Sequence, residues 1–179
     1  LVCFGDSITF TGQSKGGWVY ETGHQLGMPW TVLGDSGRTP QQIYADLYLL
    51  NLPLDSKIVT MTGGANANVV LAGDLTSRDR DTYEGCLNYA IDYVYATCPL
   101  ARIIICPCHP LHGNQKTAFN DVMTDIAALR NITVADWFND AGINLESLAV
   151  VSVDGVHMTE EGNARLAGVV IGTIKNISY

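Results

Sequence analysis

Two short stretches near opposite ends of the chain carry the residue types that nucleophilic catalysis requires. Gly5-Asp6-Ser7 follows the apolar residues 1–4, and Asp154 stands three residues before His157. A serine hydroxyl becomes a nucleophile when an imidazole takes its proton and a carboxylate orients that imidazole. The chain order Ser, Asp, His, with His157 just before a predicted last helix, favours this histidine over the other three as the base.

The stretch around Ser7 is typical of a strand that turns sharply into a helix. Gly5 permits the tight backbone geometry, and a helix start would place unpaired N–H groups and the positive end of the dipole beside the Ser7 hydroxyl. Such donors stabilise the oxyanion that forms when a serine attacks a carbonyl. A serine after a strand is also a common helix cap, and the tripeptide alone leaves both interpretations open.

The elements that must position these residues alternate between strands and helices. Apolar runs predict five strands, at residues 1–4, 31–33, 57–62, 101–106 and 132–135. Periodicity and capping residues predict helices over 18–26, 79–96 and 116–129, one beginning at Thr39-Pro40, and one capped by Thr159. This alternation predicts an α/β protein with one parallel sheet between two helix layers, as a single domain over residues 1–179.

Apolar residues at helical spacing predict the inner faces of these helices. For the helix that begins at Thr39 they are Ile43, Leu47 and Leu50, and for the 79–96 helix they are Tyr83, Leu87, Ile91 and Val94. For the 116–129 helix they are Phe119, Met123, Ile126 and Leu129.

Small or polar residues follow three of the predicted strands. In a parallel sheet of this kind the ligand site lies beyond the carboxyl ends of the strands, so we expect Ser7, Gly37 and Asn66 to converge there. The main-chain N–H groups of Ser7 and Gly37 and the side-chain amide of Asn66 would together form an oxyanion hole. Taken singly, Gly37 and Asn66 are also ordinary turn residues.

Composition narrows the possible partners. The chain has 18 Asp and Glu against 10 Lys and Arg, a net charge of −8, which disfavours a nucleic acid or an anionic membrane surface. No apolar run approaches the ~20 residues that a membrane span requires. The first residues already read as a strand and no initiator Met precedes them, so the compartment and any preceding segment stay open.

One loop offers a different chemistry. Cys106, Cys108, His109 and His112 are four possible zinc ligands within seven residues. Two prolines stiffen this loop and no second cluster has a standard ligand spacing, so we favour a loop that lines the site without a metal.

The five cysteines of the chain are an odd number, which does not suit a disulfide scaffold. Cys3 and Cys106 are predicted to be buried as small apolar residues. Whether Cys86 and Cys98 form a disulfide stays open.

Four blocks together resemble the motif blocks of the SGNH hydrolases, also called GDSL esterases and lipases. They appear in the family's order: Gly5-Asp6-Ser7-Ile8-Thr9, Ser36-Gly37-Arg38-Thr39, Gly64-Ala65-Asn66 and Asp154-Gly155-Val156-His157. The GGWV stretch at residues 16–19 is similar to the family as well. The resemblance implies a flavodoxin-like α/β/α sandwich with a five-stranded sheet, Ser7 as nucleophile, His157 as base and Asp154 as its orienting acid. It also implies oxyanion donors from Ser7, Gly37 and Asn66.

The chain departs from the family at one position. Ala67 follows Asn66 where an Asp is usual, which affects the conformation of this loop more than the chemistry. Asn68 is an alternative oxyanion donor if the loop register shifts.

The implied reaction transfers an acyl group from an ester to Ser7 and then to water, without a metal or an organic cofactor. The chain is short and has no long apolar insertion for a lid or tunnel, so we expect a short acyl group, such as acetyl on a carbohydrate. A lysophospholipase, a thioesterase or an acyltransferase with the same residues is an alternative, as is a non-catalytic carbohydrate-binding module that keeps the fold. The oligomeric state stays open.

Overall fold

A five-stranded parallel sheet forms the centre of the computed structural model, which describes residues 1–44, 51–67, 69–111 and 117–177. The strands are β1 (Val2–Gly5), β2 (Thr31–Gly34), β3 (Ile58–Thr62), β4 (Arg102–Cys106) and β5 (Thr133–Val134). Their order across the sheet is β2-β1-β3-β4-β5, which is the order of flavodoxin-like folds. The predicted fold class is confirmed.

Helices cover both faces of this sheet. They are α1 (Ser7–Gly12), α2 (Trp18–Leu26), α3 (Pro40–Tyr44), α4 (Tyr83–Thr97), α5 (Thr117–Leu129), α6 (Trp137–Asp140), α7 (Leu148–Val151) and α8 (Glu160–Asn176). Successive strand residues point to opposite faces, so Phe4 packs into one apolar cluster with α3, α4 and α5, whereas Cys3 packs into the other with α2, α7 and α8.

Most of the predicted inner faces lie in these two clusters. Tyr83, Leu87, Ile91 and Val94 are all fully buried. Leu129 is a wrong prediction, since its side chain is 58% exposed at the end of α5. Arg130, the residue directly after α5, points towards α4 instead, where its guanidinium pairs with Asp92. Leu47 and Leu50 lie outside the described residues.

The segment between β5 and the Asp154–His157 turn differs from the prediction of a plain loop. It contains α6 and α7, each of four residues. Asp136 starts α6 by accepting the main-chain N–H groups of Phe138 and Asn139. Four residues make about one helical turn, so these helices carry no periodic signal.

The cysteines form part of the apolar interior. All five are buried, as predicted for Cys3 and Cys106. The Cys86 thiol donates to the carbonyl of Arg80 and the Cys98 thiol to that of Pro53, so these two residues do not form the pair that the sequence left open. Among the described residues, no helix has the length and apolar character needed to cross a membrane.

Candidate active site

Three side chains from opposite ends of the chain form a hydrogen-bonded line at the carboxyl edge of the sheet. His157 Nε2 lies 2.9 Å from Ser7 Oγ, and His157 Nδ1 lies 2.7 Å from Asp154 Oδ2. The carboxylate can only accept, so the neutral ring carries its proton on Nδ1 and Nε2 accepts from the Ser7 hydroxyl. The structure therefore brings together the three residues that the sequence singled out, with Ser7 and His157 150 positions apart.

The Asp154 carboxylate holds the backbone of its own turn as well as the imidazole. Its Oδ1 accepts the main-chain N–H groups of Val156 at 3.0 Å and of His157 at 2.8 Å. The hydrogen bonds from the N–H and then the ring of His157 lower the pKa of Asp154 to about 2. The carboxylate is ionised at neutral pH, and the exposure of about half of its side chain to solvent favours the same charged form.

Asp6, rather than Ser7, caps the helix at the nucleophile turn. Asp6 Oδ1 accepts the N–H of Ile8 at 3.1 Å, and Ser7 is the first residue of α1. The Ser7 hydroxyl is thus not used for capping and points instead to His157. Burial raises the pKa of the Asp6 carboxyl from 3.8 to about 6.

Close packing determines the path of the chain on both sides of Ser7. A Cβ at Gly5 would lie 2.1 Å from Thr9 Oγ1 and 2.4 Å from Thr62 Oγ1, so only glycine fits. The two threonine hydroxyls are themselves hydrogen-bonded at 2.8 Å, which joins α1 to the end of β3.

Trp18, in the GGWV stretch, joins the helix of Ser7 to the helix that follows His157. Its Nε1 donates to the carbonyl of Ile8 at 3.2 Å, and its main-chain N–H donates to Asn163 Oδ1 at 3.2 Å. Asn163 lies on α8 and in turn donates to the carbonyl of Met158, next to His157. This link was not predicted, because the sequence marks the tryptophan but not its distant partner.

Gly37 and Asn66, the two predicted oxyanion donors besides Ser7, lie in the loops after β2 and β3. These strands are the neighbours of β1 in the sheet, so their loops flank the turn that carries Ser7. Gly37 is exposed at φ +74°, a left-handed conformation that favours glycine. Asn66 Nδ2 donates to the carbonyl of Arg38 at 3.3 Å, which ties the two loops together. The second hydrogen of this amide is available for another acceptor.

The other candidate residues have different surroundings. His24 is exposed on α2 and stacks on Tyr20. His109 is buried, and its Nε2 lies 3.0 Å from the carbonyl oxygen of Val156, so it borders the site as expected. His112 and Asn68 lie outside the described residues. Within the described ranges no three His, Cys, Asp or Glu side chains are grouped as metal ligands.

A flavodoxin-like sheet with hydrogen-bonded Ser, His and Asp side chains at its carboxyl edge is the architecture of a class of α/β/α hydrolases. The model of the GDSL-like lipase/acylhydrolase family matches residues 3–165, and the chain belongs to this family. A search of curated proteins finds no significant match.

Solved structures with the same fold include three whose chains align with this one over nearly their whole length. A protein from Lactobacillus plantarum has a TM-score of 0.83 and 17% identity, covering 99% of this chain and 97% of its own. A possible lipase from Chitinophaga pinensis has a TM-score of 0.79 and 16% identity, with coverages of 98% and 97%. The acetyl xylan esterase AlAXEase has a TM-score of 0.75 and 21% identity, with coverages of 97% and 98%. At these identities the likeness shows the fold.

Proposed function

We propose that this protein is a serine esterase that removes a short acyl group, acetyl in the first instance, from an ester of a carbohydrate. Ser7 is the nucleophile, His157 the general base and Asp154 the acid that orients it. The observation that carries the proposal is the pair of hydrogen bonds on His157, 2.9 Å to Ser7 Oγ and 2.7 Å to Asp154 Oδ2. Membership of a family of lipases and acylhydrolases supports it.

In the first step His157 Nε2 takes the hydroxyl proton while Ser7 Oγ attacks the carbonyl carbon of the ester. The Asp154 carboxylate stabilises the imidazolium that forms. The bond from this carbon to the alcohol oxygen then breaks, and the imidazolium gives its proton to the leaving alcohol. The product of this step is an acyl ester on Ser7.

The negative charge that develops on the carbonyl oxygen of the ester requires hydrogen-bond donors that face this oxygen. We assign this role to the N–H of Ser7, the N–H of Gly37 and the side-chain amide of Asn66. The helix start leaves the Ser7 N–H without an intrahelical acceptor, and the hydrogen bond to Arg38 orients the Asn66 amide. In the second step His157 activates a water molecule, which releases the acid and restores Ser7.

A short acyl group is favoured by the absence of a long apolar insertion in the sequence. Such an insertion would be needed to form a lid or a deep acyl tunnel. The fold shared with an acetyl xylan esterase supports an acetylated polysaccharide as the first substrate to test. A longer acyl chain, as a lipase takes, is the other outcome of that test.

The deciding experiment compares the wild-type protein with Ser7→Ala in the hydrolysis of p-nitrophenyl acetate. Ser14→Ala, at an exposed serine of the following loop, is the matched control. We expect turnover in the wild type and the control but not in Ser7→Ala. A series of p-nitrophenyl esters and acetate release from acetylated xylan then define the acyl group.

Two results would contradict the proposal. Turnover that survives in Ser7→Ala would exclude Ser7 as the nucleophile. A preference for octanoyl or longer esters, with no acetate released from xylan, would overturn the short-acyl assignment in favour of a lipid substrate.

A further inference from the structure

His109 is a buried histidine outside the triad that contacts the turn carrying Asp154 and His157. It lies in the loop after β4 and is 1% exposed. Its Nε2 lies 3.0 Å from the carbonyl oxygen of Val156, the residue directly before His157. A carbonyl oxygen can only accept, so Nε2 carries the ring proton and donates it, and Nδ1 keeps its lone pair.

The peptide unit between Val156 and His157 is held at both of its polar ends. Its carbonyl accepts from His109 Nε2, and its N–H donates to Asp154 Oδ1 at 2.8 Å. These two contacts together define the orientation of the peptide plane from which the His157 side chain extends. The remaining hydrogen bond of Asp154 Oδ1, from the N–H of Val156, comes from within the same turn.

His109 is itself anchored from the helix layer on the other face of the sheet. The buried side chain of Asn120, on α5, makes two hydrogen bonds to the main chain of Cys108, the residue before His109. Asn120 Oδ1 accepts the N–H of Cys108 at 2.9 Å, and Asn120 Nδ2 donates to the carbonyl of Cys108 at 2.8 Å. The position of His109 therefore does not depend on the turn that it contacts. This matters because the side chains of His157 and Asp154 are 38% and 51% exposed, so burial alone holds them weakly.

The second ring nitrogen of His109 argues against a purely packing role. Nδ1 is buried and has no hydrogen-bond partner among the described residues, an unfavourable state that an apolar side chain would avoid. Burial lowers the pKa of His109 to about 4, so at neutral pH the ring is neutral and donates only from Nε2. A need for the hydrogen bond from Nε2 to the Val156 carbonyl would explain why a histidine occupies this buried position.

We propose that His109 is a positioning residue of the esterase: by holding the Val156 carbonyl, it keeps His157 Nε2 within hydrogen-bonding distance of Ser7 Oγ. The inference rests on the proposed function, and His109 itself touches neither the nucleophile nor the reacting ester.

Three variants separate the hydrogen bond from the packing. His109→Leu removes the donor and keeps an apolar side chain, and His109→Gln keeps an amide N–H₂ at about the position of Nε2. His109→Asn is polar, but its amide is too short to reach the Val156 carbonyl. His24→Leu, at an exposed histidine on α2, is the matched control.

We expect His109→Leu to melt near the wild-type temperature, because the lost bond to the Val156 carbonyl offsets the removal of Nδ1, which has no partner among the described residues. Its kcat should fall by roughly ten- to a hundredfold at nearly unchanged KM. His109→Asn should lose kcat similarly. His109→Gln should recover kcat to within about threefold of wild type, and His24→Leu should match wild type. A purely structural role would not produce this kcat loss in a variant of unchanged stability.

Wild-type kcat in His109→Leu, or a His109→Gln variant as slow as His109→Asn, would overturn the inference. If His109→Leu does not fold, the comparison of Gln with Asn decides. Failure of the proposed function is a separate result, seen as the absence of Ser7-dependent turnover in the wild type. In that case the low-field NMR signal of the His157 Nδ1 proton decides, and its persistence unchanged in His109→Asn would refute positioning.

Discussion

Glu84, a buried residue of α4, accepts a hydrogen bond of 3.0 Å from the main-chain N–H of Gly73. Its other oxygen accepts the N–H of Ala72 at 2.7 Å. One buried side chain thus fastens the segment that follows Asn66 in the chain, where Val70 is 70% exposed. This part of the loop after β3 is held in place by the Glu84 side chain and by a parallel β-bridge between Val70 and Thr82.

Replacing Glu84 with Gln should loosen this segment. One of the two main-chain donors would then face an amide N–H₂ instead of an oxygen, and a buried unpaired donor costs about 1–3 kcal/mol. We expect the free energy of unfolding, measured in urea, to fall by about that amount. The exposed Glu146→Gln is the control, and an equal stability of both variants would show that the carboxylate is not needed there.

Asn66→Ala tests the assigned oxyanion hole. Loss of one donor should lower kcat by roughly 10²–10³ with a smaller change in KM, since the interaction forms mainly in the transition state. Thermal melting measured in parallel separates this effect from loss of the tie to Arg38. A decrease of less than tenfold would mean that Asn68 or a main-chain group provides the donor.

Removing members of the triad should have non-additive effects. His157→Ala alone should abolish nearly all esterase activity, and the double variant Ser7→Ala/His157→Ala should be no slower than either single variant, because the residues act as a unit. The measurement is the residual rate with p-nitrophenyl acetate. Losses that multiply in the double variant would mean that the two side chains act independently.

Asp6→Asn tests the buried cap carboxyl through the pH dependence of stability. The folded state raises the pKa of Asp6 from 3.8 to about 6, so between these pH values the folded protein binds more protons than the unfolded chain. The contribution of Asp6 to stability therefore falls as pH rises from about 4 to about 6, by up to about 3 kcal/mol.

Asn at this position keeps an oxygen to accept the Ile8 N–H and does not titrate. The difference in unfolding free energy, Asp6→Asn minus wild type, should therefore increase from pH 4 to pH 7 and level off above. Chemical denaturation at several pH values measures it. A difference that does not change with pH would show that Asp6 has the same pKa in both states.

Local signals in the sequence were sufficient to predict the ends of helices that begin and end at residues typical of helix caps. The predicted helix 18–26 agrees with α2 at both ends, since Gly17 is its N-cap and Gly27 ends it in a left-handed conformation. The predicted start of the 79–96 helix was too early: Thr82 caps α4, and Tyr83 is its first residue. The residues before Thr82 form turns whose side chains resemble those of a helix start.

The sequence by itself determined the alternation of strands and helices, the family and the residues able to do the chemistry, because these depend on local patterning and on short motifs. Only the tertiary structure decided that His157 lies within hydrogen-bonding distance of Ser7 and that Asp6 takes the helix cap. It also decided that Trp18 contacts Ile8 and Asn163, and that His109 contacts Val156. Apart from the local cap, these contacts join residues 10 to 150 positions apart. They depend on how the strands and helices pack against one another, and residue spacing along the chain carries no record of that packing.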